Sequence, residues 1–90
     1  MVQYEVKIKG RVQGVGFRAY TQRQAETFGV KGWVKNLASG SVQVMVQGEK
    51  AEVDTFIDYL RVGPTLSRVN DLVVSRVETN EKFNDFRIKH

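Results

Sequence analysis

Nine consecutive residues near the start of the chain, Gly10-Arg11-Val12-Gln13-Gly14-Val15-Gly16-Phe17-Arg18, have the types and spacing to bind an anion. Glycine has no Cβ, so a loop with three of them can reach positive φ and let a ligand come close to the main chain. Successive N–H groups in such a loop form a concave nest, and a helix starting beside it adds partial positive charge. Arg18 adds a planar guanidinium at the mouth of that nest, suited to bidentate contact with phosphate oxygens. The expected chemistry is a phosphate cradle, in which the N–H groups of Gln13, Gly14, Val15, Gly16 and Phe17 act together with Arg18. The glycines alone are a weak signal, because Gly-x-Gly after a strand also serves a tight turn or close helix packing. Neither Gly-x-Gly-x-x-Gly nor Gly-Lys-Ser/Thr is present, since position 19 is Ala.

A cradle of this kind needs a strand leading in and a helix leading out. Val2, Tyr4, Val6 and Ile8 alternate with polar residues and predict a half-buried strand. Ala19 to Phe28 reads as a helix, with Phe17, Thr21, Ala25 and Phe28 as its core-facing stripe and Gly29 as its stop. Val30 to Asn36 is a second strand, with Val30, Gly32 and Val34 on one side and Lys31, Trp33 and Lys35 on the other. Leu37-Ala38-Ser39-Gly40 makes a hairpin connection, and Val42, Val44 and Val46 mark the returning strand. Glu49 to Arg61 carries Val53, Phe56, Ile57 and Leu60 at helical spacing, with acidic residues near its start. Gly63-Pro64 ends that helix. Val69 to Val77 is a fourth strand containing the apolar run Leu72-Val73-Val74, Glu78 to Lys82 a polar turn, and Phe83 to Ile88 a short last strand.

The resulting order, β-α-β-β-α-β plus a short terminal strand, predicts an α+β fold of the split-βαβ, ferredoxin-like kind. Two helices would cover one face of an antiparallel sheet, in a single domain spanning residues 1–90. In this topology the first two strands run parallel with the third between them, so their C-terminal ends share one end of the sheet. The loop at 10–18 leaves the first strand there, and Asn36 closes the second. Asn36 has the parity of Val30 and Val34, which aims it toward the helix-covered side. Its position leaves two roles open, a polar group beside the cradle or the start of the hairpin turn.

The loop resembles the signature of the acylphosphatase family, in which Gly-Arg-Val-Gln-Gly-Val-Gly-Phe-Arg precedes the first helix. Gly32-Trp33-Val34-Lys35-Asn36 resembles the second signature of that family. Gly40 before a Val-rich strand, Gly63-Pro64 and the closing Phe86-Arg87-Ile88 extend the likeness over essentially the whole chain. The resemblance implies the same ferredoxin-like fold and hydrolysis of small acyl phosphates without a metal or other cofactor. It makes Asn36 and Arg18 the catalytic residues and the 13–18 loop the phosphate site, with Asn36 orienting the attacking water. Inorganic phosphate is then expected as product and competitive inhibitor. Ala19 departs from the family, where this position is often bulky, and implies a slightly more open mouth.

The chemistry of the residues agrees with that implication. The chain has 10 acidic residues, none of them inside the two motifs, and no cysteine. Thiolate nucleophiles, disulfides and thiolate metal sites are therefore excluded. The single histidine, His90, is the last residue of the sequence, where fraying is expected, and is a poor candidate for a general base or metal ligand. An acyl phosphate expels a carboxylate whose conjugate acid has a pKa of roughly 4, so its departure needs no acid. Phosphoryl transfer is then mostly positioning and charge stabilisation.

The net charge of +4 suits a small anionic substrate and also RNA. RNA-recognition domains share the topology but stack bases on exposed aromatics of their central strands. Here the open face of the first and third strands carries mostly Glu5, Lys7, Gln43, Met45 and Gln47, and Trp33 among lysines is the one suggestive aromatic. RNA binding or a catalytically silent regulatory module are the alternatives to the enzyme. No apolar segment has signal or membrane-spanning length, and the expectation is a cytoplasmic monomer that binds neither nucleic acid nor membrane.

Overall fold

The alternation at the start of the chain becomes a ten-residue strand, β1 (Val2–Arg11), with Val6 and Ile8 fully buried and Lys7 and Lys9 exposed. A computed structural model describes residues 1–78 and 81–90. The chain continues through α1 (Phe17–Phe28), β2 (Lys31–Asn36), β3 (Val42–Gly48), α2 (Lys50–Val62), β4 (Arg68–Arg76) and β5 (Phe86–Lys89). Helix α1 begins two residues earlier than the sequence predicts, because the Phe17 ring already enters the core. Arg18 therefore belongs to the first helical turn. Helix α2 carries Glu52 in its first turn and an exposed Lys50–Asp54 ion pair of 2.7 Å.

The five strands lie in the order β4-β1-β3-β2-β5. Strand β3 runs antiparallel to both β1 and β2, so those two are parallel with β3 between them, as predicted. Strand β4 pairs antiparallel with the other edge of β1. The sheet is nevertheless mixed rather than antiparallel throughout, because β5 pairs with β2 in parallel. Strand β4 finishes at the end where β1 and β2 begin. A strand that starts from there and lies beside β2 has to run in its direction.

Both helices cover one face. Val34, Val42, Val44 and Val46 meet Phe17, Ala25, Val53, Phe56 and Leu60 there. Fully burying side chains of this size contributes about 1.5–3 kcal/mol each. The Phe86 ring anchors β5 edge-on against Phe56, with centroids 5.9 Å apart. Tyr20 Oη donates to Tyr59 O at 2.8 Å and ties the two helices. Burial, with the Tyr59 phenol beside it, raises the Tyr20 pKa above the usual 10.0 and keeps that hydroxyl a donor.

On the open face, Gln43 Nε2 donates to Glu5 Oε2 at 2.9 Å and Gln47 Nε2 to Gln3 Oε1 at 3.1 Å. The Lys35 and Lys89 ammonium groups stand 5.4 and 4.4 Å from the Trp33 ring centre. The apolar run of β4 lies on an edge strand, with Val73 and Val74 exposed. The turn expected over 78–82 includes Thr79 and Asn80, which lie outside the described residues. The last strand starts at Phe86, not Phe83, because Phe83 N donates to Gln47 Oε1 at 3.1 Å instead of joining the ladder. Among the described residues no helix is long and apolar enough to cross a membrane.

Candidate active site

The loop between β1 and α1 turns on two left-handed glycines, Gly14 at φ 73° and Gly16 at φ 79°, with Val15 between them. Nothing lies within 4 Å of where a Cβ would stand on either, so it is backbone conformation, not space, that calls for glycine. Alternating left- and right-handed residues aim successive N–H groups into one concavity. Gly16 is also the N-cap of α1, which has neither a side-chain cap nor an acidic residue in its first turn. Among the described residues, no backbone N–H from Gln13 to Ala19 donates to a group in the chain, and Tyr20 N is the first to do so, to Gly16 O at 3.0 Å. A run of unpaired amides at a helix start is a donor array for an anion.

Gly14, Gly16, Phe17 and Arg18 line one pocket of about 270 Å³ with Asn36. Gln13 and Val15 do not line it. Val15 packs against the core, and the Gln13 side chain turns away. Gln13 Nε2 donates to Leu37 O at 2.8 Å and to Ser41 O at 2.9 Å, clamping the loop to the β2–β3 hairpin. A larger hollow of about 480 Å³ opens beside Lys7, Lys9 and that hairpin, but neither Arg18 nor Asn36 faces it.

Asn36 pairs with Val42 at the end of β2. Its Oδ1 is buried and, among the described residues, has no hydrogen-bond donor. The hairpin turn is closed without it. Leu37 N donates to Ser41 O at 2.9 Å, Gly40 N to Leu37 O at 3.1 Å, and Ser41 N to Ser39 Oγ at 3.4 Å. An asparagine serving the turn would bond to that backbone. A buried acceptor left unpaired costs about 1–3 kcal/mol, so the position is not explained by stability.

Arg18 is partly buried, and its Nη1 lies 3.2 Å from His90 Nδ1. The ion pairs Lys50–Asp54 and Arg87–Asp85 leave Arg18 out, and no Asp or Glu is among the residues lining the pocket. Among the described residues, Arg18 therefore has no acidic side chain as an ion-pair partner. Ile88 and His90, which the sequence reading did not place at the site, complete the pocket wall. The parallel register sets Lys89 opposite Lys35, which brings the following residue level with Asn36. The arrangement offers backbone donors and a guanidinium to a tetrahedral anion, with one amide poised beside it.

The chain matches the family model described as Acylphosphatase over residues 4–88. It is 48% identical over 85 residues to an acylphosphatase of Geotalea uraniireducens, covering 94% of this chain and 93% of that one. Against an acylphosphatase of Bacillus pumilus it is 43% identical over 89 residues, 99% of each chain. The crystal structure of acylphosphatase from Bacillus subtilis superposes on the whole of both chains with a TM-score of 0.96 and 34% identity.

Proposed function

This chain belongs to the acylphosphatase family, and from that premise we propose how it hydrolyses an acyl phosphate to a carboxylate and inorganic phosphate. The loop N–H groups and Arg18 hold the phosphoryl oxygens, and charge building on them in the transition state meets donors already aimed at it. Asn36 Oδ1 accepts a hydrogen bond from water and turns a lone pair toward phosphorus, in line with the departing carboxylate. The leaving group is a weak base, so no protein acid is needed and no metal enters the step. What supports this reading is the meeting, in one pocket, of loop amides, Arg18 and the Asn36 amide oxygen, which, among the described residues, have no backbone acceptor, acidic side-chain partner and donor, respectively.

Residues 1–90 act as one cytoplasmic, monomeric unit on small-molecule acyl phosphates. Inorganic phosphate, as the product, competes for the cradle. RNA binding is not favoured, since Trp33 lies under two ammonium groups and the neighbouring strands carry polar cross-strand pairs. The test is release of phosphate from benzoyl or acetyl phosphate, with and without EDTA. Turnover of similar rate in both is expected, and a strict requirement for Mg²⁺ or Zn²⁺ overturns the metal-free step.

A further inference from the structure

We propose that Ala19 sets the size of the acyl group the site accepts, its methyl leaving the mouth open to bulky acyl phosphates, aromatic and α-branched ones included. The inference rests on the proposed function above and extends it from the phosphoryl end of the substrate to the acyl end. At about 270 Å³ the pocket is smaller than the roughly 300–1,000 Å³ clefts that enclose drug-sized ligands. It is also graded in depth. Val12 and Phe17 are buried at its floor, and Arg18 and Asn36 are half-buried in its walls. Gly14, Gly16, Ala19 and His90 are exposed and form its rim. In-line displacement puts the leaving oxygen on the far side of phosphorus from the attacking water. Water held at the buried Asn36 Oδ1 therefore sends the acyl group outward, to the rim.

At the rim the two glycines have no side chain and the His90 ring stands against Arg18 at 3.2 Å, which leaves the Ala19 methyl beside the opening. Helical Cα–Cβ bonds tilt toward the N-terminus, and long side chains lie over the preceding turn. Residue 19 stands in the first turn of α1, so any larger side chain there leans over the mouth of the cradle. The fold itself does not ask for alanine. Ala19 is exposed and outside the core, and Arg23, one turn further on, is exposed as well. A small side chain at this position is thus a matter of access. The acyl group of a bound substrate extends past a methyl into solvent, and the site reads the phosphoryl end while tolerating bulk at the other.

The test measures kcat/KM for acetyl, benzoyl and pivaloyl phosphate in the wild-type protein, Ala19→Ser and Ala19→Trp, with phosphate inhibition and thermal midpoints alongside. Leaving-group acidity belongs to the substrate and drops out of each variant-to-wild-type ratio. Wild type should hydrolyse all three within about tenfold of one another, at or below the roughly 10–200-fold that a size-reading pocket imposes. Ala19→Ser, of similar size, should follow it. Ala19→Trp should keep acetyl phosphate within about twofold and lose about tenfold or more on benzoyl and pivaloyl phosphate, the lower end of that scale. Phosphate inhibition and the thermal midpoint should stay unchanged in it, since the residue is exposed and the cradle is untouched. Equal losses on all three substrates in Ala19→Trp, or no loss on any, overturn the inference, as does a wild-type preference for acetyl phosphate beyond about tenfold. Those results leave the proposed function standing. Failure of the wild-type protein to release phosphate from any of the three removes that reading as well.

Discussion

At the scale of single residues, the two site side chains differ in what the fold asks of them, and so in what their loss should do. Among the described residues, Asn36 gives the turn no side-chain bond and its buried oxygen has no donor. Asn36→Ala should therefore leave the thermal midpoint nearly unchanged. If the amide orients water, kcat should fall roughly 10²-fold, the scale for a positioned catalytic amide, while KM moves little. A destabilised but fully active variant would return Asn36 to the turn. By the proposed mechanism, Arg18 meets charge in both the ground state and the transition state. Arg18→Ala should weaken competitive inhibition by phosphate and cut kcat/KM by about 10³-fold. Arg18→Lys should recover little, since a point charge replaces a fork. Phosphate inhibition unchanged in Arg18→Ala would remove it from the cradle.

Among the elements, what holds the loop to Asn36 is the Gln13 side chain, which bridges the carbonyls of Leu37 and Ser41. Gln13→Ala removes two hydrogen bonds and frees the loop from the hairpin. A loss of about 1–2 kcal/mol in urea unfolding is expected. Because cradle and amide then drift relative to each other, kcat should fall as well, and a stability loss with intact turnover would separate the clamp from the site. Gln13 illustrates what a sequence can and cannot convey. The loop glycines and Arg18 form a local pattern visible in the sequence, whereas position alone leaves Asn36 between cradle and turn and only the resemblance to the family favours the cradle. The bridge from Gln13 to residues 37 and 41 is a tertiary contact with no periodicity of its own. The same holds for β5, whose four residues in the ladder are too short for alternation to fix a partner. Its parallel docking on β2 follows from where β4 ends, and with it comes the placement of His90 that fraying at a chain end would not suggest. Leu72-Val73-Val74 is apolar on both faces, yet it lies at the sheet edge, with two valines exposed. Composition alone does not say which strand is outermost.

Over the whole molecule, the site is assembled from segments that only the complete sheet brings together: 14–18, 36 and 88–90. A ligand that binds this assembly has no counterpart in the unfolded chain, so binding must raise stability. At inorganic phosphate ten times its dissociation constant the gain is about 1.4 kcal/mol. For a domain of this size that corresponds to roughly 5–10 °C in thermal midpoint. A net charge of +4 also responds to salt, so sodium chloride at matched ionic strength is the necessary comparison. Phosphate should raise the midpoint well beyond chloride in the wild-type protein and far less in Arg18→Ala at the same concentration. Asn36→Ala, which by the mechanism meets the water and not the anion, should keep nearly the full rise. An equal rise in wild type and Arg18→Ala would place phosphate elsewhere on the basic surface, and loss of the rise in Asn36→Ala would make that amide a ground-state ligand instead of a guide for water.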